Sequence, residues 1–175
     1  MSAFAMLICY SCGSGEKPSQ RSDVWGNTDT ITVKEISLSS EKVFVPFQRT
    51  ASGLAQVQVS LNGVPFNMWW DTGASITCIS ALELQKLAKE GKIELDDYMG
   101  NVVSGLADGS SSEEAVFNIK EIFIPGRDNK YLRLTDVAAV VSANAEAPLL
   151  IGQNVISNLP KHTFNDATEE IEFDK

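Results

Sequence analysis

Residues 66–80 have the sequence FNMWWDTGASITCIS, in which one acid, Asp71, stands between an apolar run and a run of small residues. Trp69 and Trp70 end the apolar run. Glycine at position 73 permits a close approach of another backbone, because it has no Cβ. The hydroxyls of Thr72 and Ser75 lie within local reach of the carboxylate and are expected to orient it.

An acid at the end of a buried strand makes chemical sense if two of them face each other across a two-fold axis. Carboxylates about 3 Å apart cannot both ionise, so one acts as an acid and the other as a base. The ionised partner activates a water and the protonated partner polarises a carbonyl. Taken alone, Asp71 also fits a structural role as a turn acid that caps a nearby amide.

The segment before Asp71 predicts a β-hairpin. Residues 54–61 and 64–70 alternate apolar and other side chains, and Asn62-Gly63 lies between them. Asn-Gly between two alternating runs is the strongest short hairpin signal. The second strand of this hairpin then ends at Asp71.

The rest of the chain is predicted to be mostly strand. Leucines at helical spacing predict one short helix from about 81 to 90, with Ser80 as N-cap and Gly91 as C-cap. Residues 147–160 predict a buried strand followed by a short helix that Pro160 ends. Pro46 restricts its strand to an edge or a bend. Further β-runs cover residues 31–38, 42–48, 101–124 (around a polar tip at 105–112), 131–143 (one strand or two) and 161–174 (a hairpin with Asn165-Asp166 at its turn).

Composition indicates one globular domain and excludes some partners. The chain has 175 residues, 43% of them hydrophobic, and a net charge of −9 from 23 acids and 14 bases. Nucleic acid is not expected as a partner, because phosphate contacts need clustered Lys and Arg. The cysteines are Cys9, Cys12 and Cys78, and the single histidine, His162, is expected to lie exposed beside Lys161. A metal site needs about four such ligands, so neither a metal nor another cofactor is predicted.

The N-terminal residues resemble a bacterial lipoprotein signal. A short apolar run, 2–8, precedes Ser11 and Cys12, and Cys12 is then the residue to be lipidated. The run has no basic residue before it and also fits a disordered apolar leader. We therefore expect a signal remnant at 1–12, a flexible linker at 13–30 and the folded domain at 31–175, in the periplasm of a bacterial cell envelope. The lipid anchor is the only membrane contact expected.

Three segments in order resemble the retropepsin-like aspartic proteases of bacterial type. DTGAS at 71–75 is similar to the family's active-site loop, and VVSGLADGSSSEEAVFNI at 102–119 is similar to its flap hairpin. APLLIGQNVISNL at 147–159 is similar to its second signature, and HTFNDATEEIEF at 162–173 to its closing hairpin. The resemblance covers about 56–173. It implies an all-β, closed-barrel-like acid protease fold with one or two short helices.

The resemblance also implies residue roles. Asp71 is expected to be catalytic, and residues 105–112 to close over an extended peptide as a flap. Gly152 and the helix after it are expected to support the active loop. The substrate-binding residues implied are Thr72, Gly73, Ala74 and Ser75 in the loop, with Ala107, Asp108 and Gly109 in the flap.

The chain carries one Asp-Thr-Gly, at 71–73. An active enzyme is therefore expected to be a C2 homodimer that hydrolyses a peptide or protein substrate, with the site on the axis. Terminal strands, at 31–48 and in the C-terminal hairpin, are the candidate interface. The alternative is a catalytically inactive, peptide-binding lipoprotein domain of the same fold.

Overall fold

Strands dominate the computed structural model, which describes residues 35–105 and 111–175. The two helices of these residues are α1, Ala81–Lys89, and α2, Gln153–Ile156. Neither helix is long and apolar enough to cross a membrane. The strands are β1 Glu35–Leu38, β2 Lys42–Arg49, β3 Ala55–Leu61, β4 Val64–Trp70, β5 Thr77–Ser80, β6 Tyr98–Gly105, β7 Ser111–Pro125, β8 Tyr131–Ser142, β9 Leu150–Ile151, β10 His162–Asn165 and β11 Glu170–Asp174.

Six strands close into a barrel, which confirms the predicted fold class. Their order is β3-β4-β9-β5-β8-β7, and β7 pairs back onto β3 through Leu61↔Ile122. Closure removes the exposed edges of these strands. The interior is filled by fully buried aliphatic side chains, among them Val57, Leu61, Met68, Ile79, Ile119, Ile122, Leu134 and Ile151.

The β3–β4 hairpin is formed as predicted. Leu61 pairs with Val64, and the turn residues Asn62 and Gly63 have φ of 49° and 88°. Positive φ at both positions defines a type I′ turn, whose twist matches that of the flanking strands. The register runs on to Ala55↔Trp70, so β4 ends directly before Asp71.

The predicted helix α1 is held by its caps. The Ser80 hydroxyl accepts from the Leu82 amide at 3.1 Å, and the Glu83 carboxylate accepts from the Ser80 amide at 3.2 Å. Together they form a capping box. Gly91 follows the helix with φ of 64°, the left-handed conformation typical of a helix end.

The long antiparallel strands β6, β7 and β8 form the flap side of the molecule. β7 pairs with β6 near its start and with β8 from Ala115 to Pro125. β8 is one strand, which settles the alternative left open by the sequence. The predicted flap tip, 105–112, lies partly outside the described residues. The predicted leader, 1–12, and linker, 13–30, lie wholly outside them.

The terminal strands show how Pro46 is accommodated. β2 pairs with β11 as far as Pro46 and with β3 from Phe47 on, so Pro46 lies at a bend where the strand changes partner. The C-terminal hairpin has a four-residue connection, 166–169, so of the predicted turn residues Asn165 ends β10 and Asp166 begins the connection. The Asn165 side chain accepts from the Ala167 amide at 3.1 Å and closes it.

Candidate active site

Asp71 is fixed by backbone hydrogen bonds at the mouth of the barrel. Its amide donates to the Ile151 carbonyl at 3.1 Å, which continues the parallel pairing of β4 with β9. Its Oδ1 accepts from the Gly73 amide at 2.8 Å, and its carbonyl accepts from the Ala74 amide at 3.3 Å. The side chain is half-buried. The carboxylate is therefore held in one orientation and still reaches solvent.

Among the described contacts, it is the Gly73 amide and not a hydroxyl that orients the Asp71 carboxylate. We expected the Thr72 and Ser75 hydroxyls to do so, but the hydrogen bond to the carboxylate comes from the Gly73 amide. A Cβ at position 73 would lie 3.1 Å from Asp71 Oδ1, tighter than ordinary contact. Thr72 and Gly73 are exposed, so this part of the loop is accessible to another molecule.

The β9–α2 segment supports the loop from below, as the resemblance implied for Gly152. A Cβ on Gly152 would lie 2.4 Å from the carbonyl carbon of Ile76, so only glycine fits against the loop backbone. The next two amides, of Gln153 and Asn154, donate to the carbonyls of Ala74 and Ser75 at 2.8 and 3.0 Å. The loop carbonyls are thereby satisfied and their positions fixed.

The Asn154 side chain ties three elements together. Its Oδ1 accepts from the Thr77 amide at 2.8 Å and from the Thr77 hydroxyl at 2.9 Å. Its Nδ2 donates to the Ala138 carbonyl on β8 at 2.9 Å. The Thr77 hydroxyl in turn accepts from the Gly152 amide at 3.2 Å. This network joins β5, β8 and α2.

Gln153 reaches the loop from the same helix. Its Nε2 donates to the Thr72 carbonyl at 3.0 Å. Sequence reasoning assigned no role to Gln153 or Asn154. The signal was available, because this polar pair interrupts the apolar run LLIGQNVI and buried polar side chains need partners.

The C-terminal hairpin packs under the residue that precedes the acid. Trp70 is 4% exposed, and its ring lies 5.5 Å from the ring of His162 and 5.8 Å from that of Phe164. The expectation of an exposed His162 is wrong, because its ring is half-buried between Trp70 and Phe173. Its Nδ1 lies 3.0 Å from the Pro160 carbonyl.

Cys78 lies on β5 behind the loop. It is half-buried against a small apolar cluster beneath the flap strands. Burial, which disfavours the thiolate, raises the pKa of the Cys78 thiol to about 11. The thiol is therefore neutral near pH 7 and acts as a small apolar side chain.

The structure brings the predicted loop residues 71–75 together on one tight turn. The predicted flap residues Ala107, Asp108 and Gly109 and the predicted lipidation site Cys12 lie outside the described residues. Within 35–105 and 111–175, no three His, Cys, Asp or Glu side chains are grouped so as to hold a metal ion.

Comparison with protein families identifies the chain. Residues 57–158, more than half of the chain, match the model of the family described as "gag-polyprotein putative aspartyl protease". The chain belongs to this family. The matched range contains most of the β3–β4 hairpin, the active loop, the flap strands and the β9–α2 segment.

A solved structure similar to this family member is a retropepsin-like aspartic protease from Rickettsia conorii. The two are 13% identical, with a TM-score of 0.49, and the match covers 79% of this chain and 91% of that chain. No curated protein shows significant sequence similarity to this chain.

Proposed function

We propose that the protein is an aspartic endopeptidase that acts as a homodimer, with one Asp71 from each protomer. The observation that supports this most is the held but accessible carboxylate of Asp71, in the Asp-Thr-Gly loop of a retropepsin-like barrel. Family membership supports the reaction class. The single Asp-Thr-Gly of the chain gives the stoichiometry.

The proposed reaction is general acid–base hydrolysis. The ionised aspartate takes a proton from a water, which attacks the peptide carbonyl carbon, while the protonated aspartate transfers its proton to the carbonyl oxygen. A tetrahedral diol forms. The first aspartate, now protonated, gives its proton to the amide nitrogen, and the second takes a proton from a diol hydroxyl as the carbon–nitrogen bond breaks to give a carboxylic acid and an amine. Both aspartates return to their starting state, and no covalent intermediate forms.

Two features of the chain favour a two-fold dimer. Thr72 and Gly73 are exposed, so the loops of two protomers have room to approach each other. β1 pairs only with β8 and β10 only with β11 among the described strands, so each has an unpaired edge that another chain can use. β2 lies between β11 and β3, so of the predicted interface run 31–48 it is β1 that offers an edge.

Asp71→Asn tests the catalytic role. The variant keeps the size and the Gly73 hydrogen bond but cannot ionise. We expect a loss of at least about 10³-fold in the rate of cleavage of a peptide library at mildly acidic pH. Asp96→Asn is the matched control, because Asp96 is an exposed acid away from the loop. Equal cleavage by wild type and Asp71→Asn would refute the proposal.

We also propose that Cys12 carries a lipid that tethers the domain at the cell envelope, with residues 13–30 as the spacer. The support is the small residue–cysteine–Gly–Ser order at 11–14 after an apolar run.

A further inference from the structure

Exposed apolar side chains are concentrated at one strand of the sheet. Five large apolar side chains are exposed among the side chains that the structure describes, and four of them lie between positions 95 and 103. Leu95 is 83% exposed, and Tyr98, Met99 and Val103 are 43%, 42% and 39% exposed. Large apolar side chains that are exposed together typically mark an interaction site. We call these four residues the β6 patch, because three belong to β6 and Leu95 lies in the turn before it.

β6 also has an unpaired backbone edge. It is the last strand in the order of the sheet and pairs only with β7 among the described strands. Proteins usually protect such an edge by a short strand, charged side chains or proline. β6 has eight residues, and its sequence, YMGNVVSG, contains neither a charged residue nor a proline. The edge strands β1 and β10 have four residues each. The free amides and carbonyls of β6 are therefore open to a further strand.

Contacts to β7 hold the exposed side of β6 in place. The register with β7 shifts between Tyr98 and Gly100, and the pairing is regular from there to the end of β6. The Tyr98 ring lies 5.5 Å from the ring of Phe117, and its hydroxyl donates to Asn101 Oδ1 at 2.7 Å. Asn101 and Val103 are two positions apart, so their side chains point to the same side of the sheet. A strand added to β6 therefore finds apolar neighbours at Tyr98 and Val103.

The surroundings of the β6 patch are acidic. Glu94 and Asp96 flank Leu95 and are exposed, and Glu113 is exposed on the neighbouring strand β7. The sequence from 93 to 119 contains acids but no lysine or arginine. Pairing of β6 with β6 of a second copy would bring these acids together, and like charges across a strand pair are destabilising. A basic segment is attracted by the same charges. Charge therefore favours a basic partner over a second copy of this chain.

We infer that β6 is a docking strand for an extended segment of a partner protein, one that alternates apolar side chains and carries lysine or arginine. The segment adds to β6 as a further strand, and its backbone bonds to the free amides and carbonyls of β6. Its apolar side chains pack beside Tyr98 and Val103, while its basic side chains pair with Glu94 and Asp96. The inference does not depend on the proposed peptidase function, because it uses no residue of the active loop.

The test measures binding of two fluorescent peptides to the full chain with Asp71→Asn, which removes the proposed catalytic acid and so prevents cleavage. Both peptides have a centre of alternating valine and threonine, and they carry either lysine pairs or glutamate pairs at the two ends. Fluorescence anisotropy at low salt should show that the lysine peptide binds at least about tenfold more tightly. On titration with this peptide, NMR signals of backbone amides should shift at 95–105 and not at the active loop, 71–75.

Val103→Lys should weaken binding of the lysine peptide by at least about tenfold, because it places a charge on the open edge. Gln58→Lys is the matched control and should keep the affinity, since it adds the same charge at an exposed position of β3, which has strands on both sides. A second comparison leaves the protein unchanged. Methyl groups on the valine amides block one edge of the peptide, and methyl groups on the threonine amides block the other. Only one of these two methylated peptides should lose binding.

Three results would overturn the inference. The first is that neither peptide binds, or that the lysine and glutamate peptides bind equally. The second is that both methylated peptides still bind, or that the amide signals shift only at 71–75, which means that the peptide occupies the cleft instead. The third comes from sedimentation of the wild type. An oligomer that Val103→Lys dissociates, while Gln58→Lys does not, means that a second copy of the chain covers β6.

Discussion

Replacing Asn154 with alanine should loosen α2, which supports the active loop, from β5 and β8 of the barrel. The change removes three hydrogen bonds, from the Thr77 amide, from the Thr77 hydroxyl and to the Ala138 carbonyl, with lengths of 2.8, 2.9 and 2.9 Å. At about 1 kcal/mol net for each bond, the free energy of unfolding should fall by about 3 kcal/mol. For a domain of this size, the midpoint of thermal unfolding should fall by about 6–12 °C.

Asn158→Ala is the matched control for this prediction. Asn158 lies four residues further on and is exposed, and its side chain donates one hydrogen bond, to the Asn154 carbonyl at 2.8 Å. We expect a loss of less than about 1 kcal/mol. Unfolding is followed by tryptophan fluorescence in urea at one fixed protein concentration, since the stability of a dimer depends on concentration. Equal effects of the two variants would refute the role of Asn154 in holding α2 to the barrel.

The remaining predictions concern three other positions. Gly152→Ala places a Cβ 2.4 Å from the backbone of Ile76, so we expect the free energy of unfolding to fall by about 1–3 kcal/mol. Calorimetry measures the change, and an unchanged unfolding midpoint would contradict the close packing of Gly152. The pKa of Cys78 is raised to about 11, so the thiol should react slowly with an alkylating reagent in the native protein at pH 8, and the rate should increase only as pH approaches 11. Mass spectrometry of the peptide that contains Cys78 measures this rate. Rapid modification at pH 8 would contradict a neutral thiol. Because folding raises its pKa, Cys78 contributes to the stability of the folded state at pH values below the pKa of the unfolded thiol. This contribution is lost as pH rises through about 11. Cys12→Ser should move the protein from the membrane fraction to the soluble fraction of cells that make bacterial lipoproteins, and equal distribution of variant and wild type would argue against lipidation.

Local sequence signals predicted the local elements well. Asn62-Gly63 specified the hairpin because few other pairs adopt positive φ at both turn positions, and Ser80 and Gly91 marked the ends of α1. Asp71 was predicted to follow β4 because the alternation of apolar side chains that begins after the Asn62-Gly63 turn continues as far as Trp70. These signals depend on residues that are neighbours in the chain.

The parts that sequence reasoning missed depend on residues far apart in the chain. The Asn154 side chain binds Thr77, which is 77 positions away, and one polar residue in an apolar run does not say which amide it will meet. The half-buried position of His162 follows from the packing of the C-terminal hairpin on Trp70. The sequence predicted the place of the last turn, at Asn165-Asp166, but not its length, because Asn165 closes a four-residue connection through its side chain.

The central claim is that two copies of Asp71, one from each protomer, form one catalytic site. It is tested most directly by mixing wild type with Asp71→Asn at constant total concentration, under conditions in which subunits exchange, and measuring peptide cleavage. Mixed dimers should be inactive, so an equal mixture should retain about one quarter of the wild-type activity, and the activity should follow the square of the wild-type fraction. Activity that falls in direct proportion to the wild-type fraction, to about one half in the equal mixture, would show that each protomer acts alone and would contradict the account.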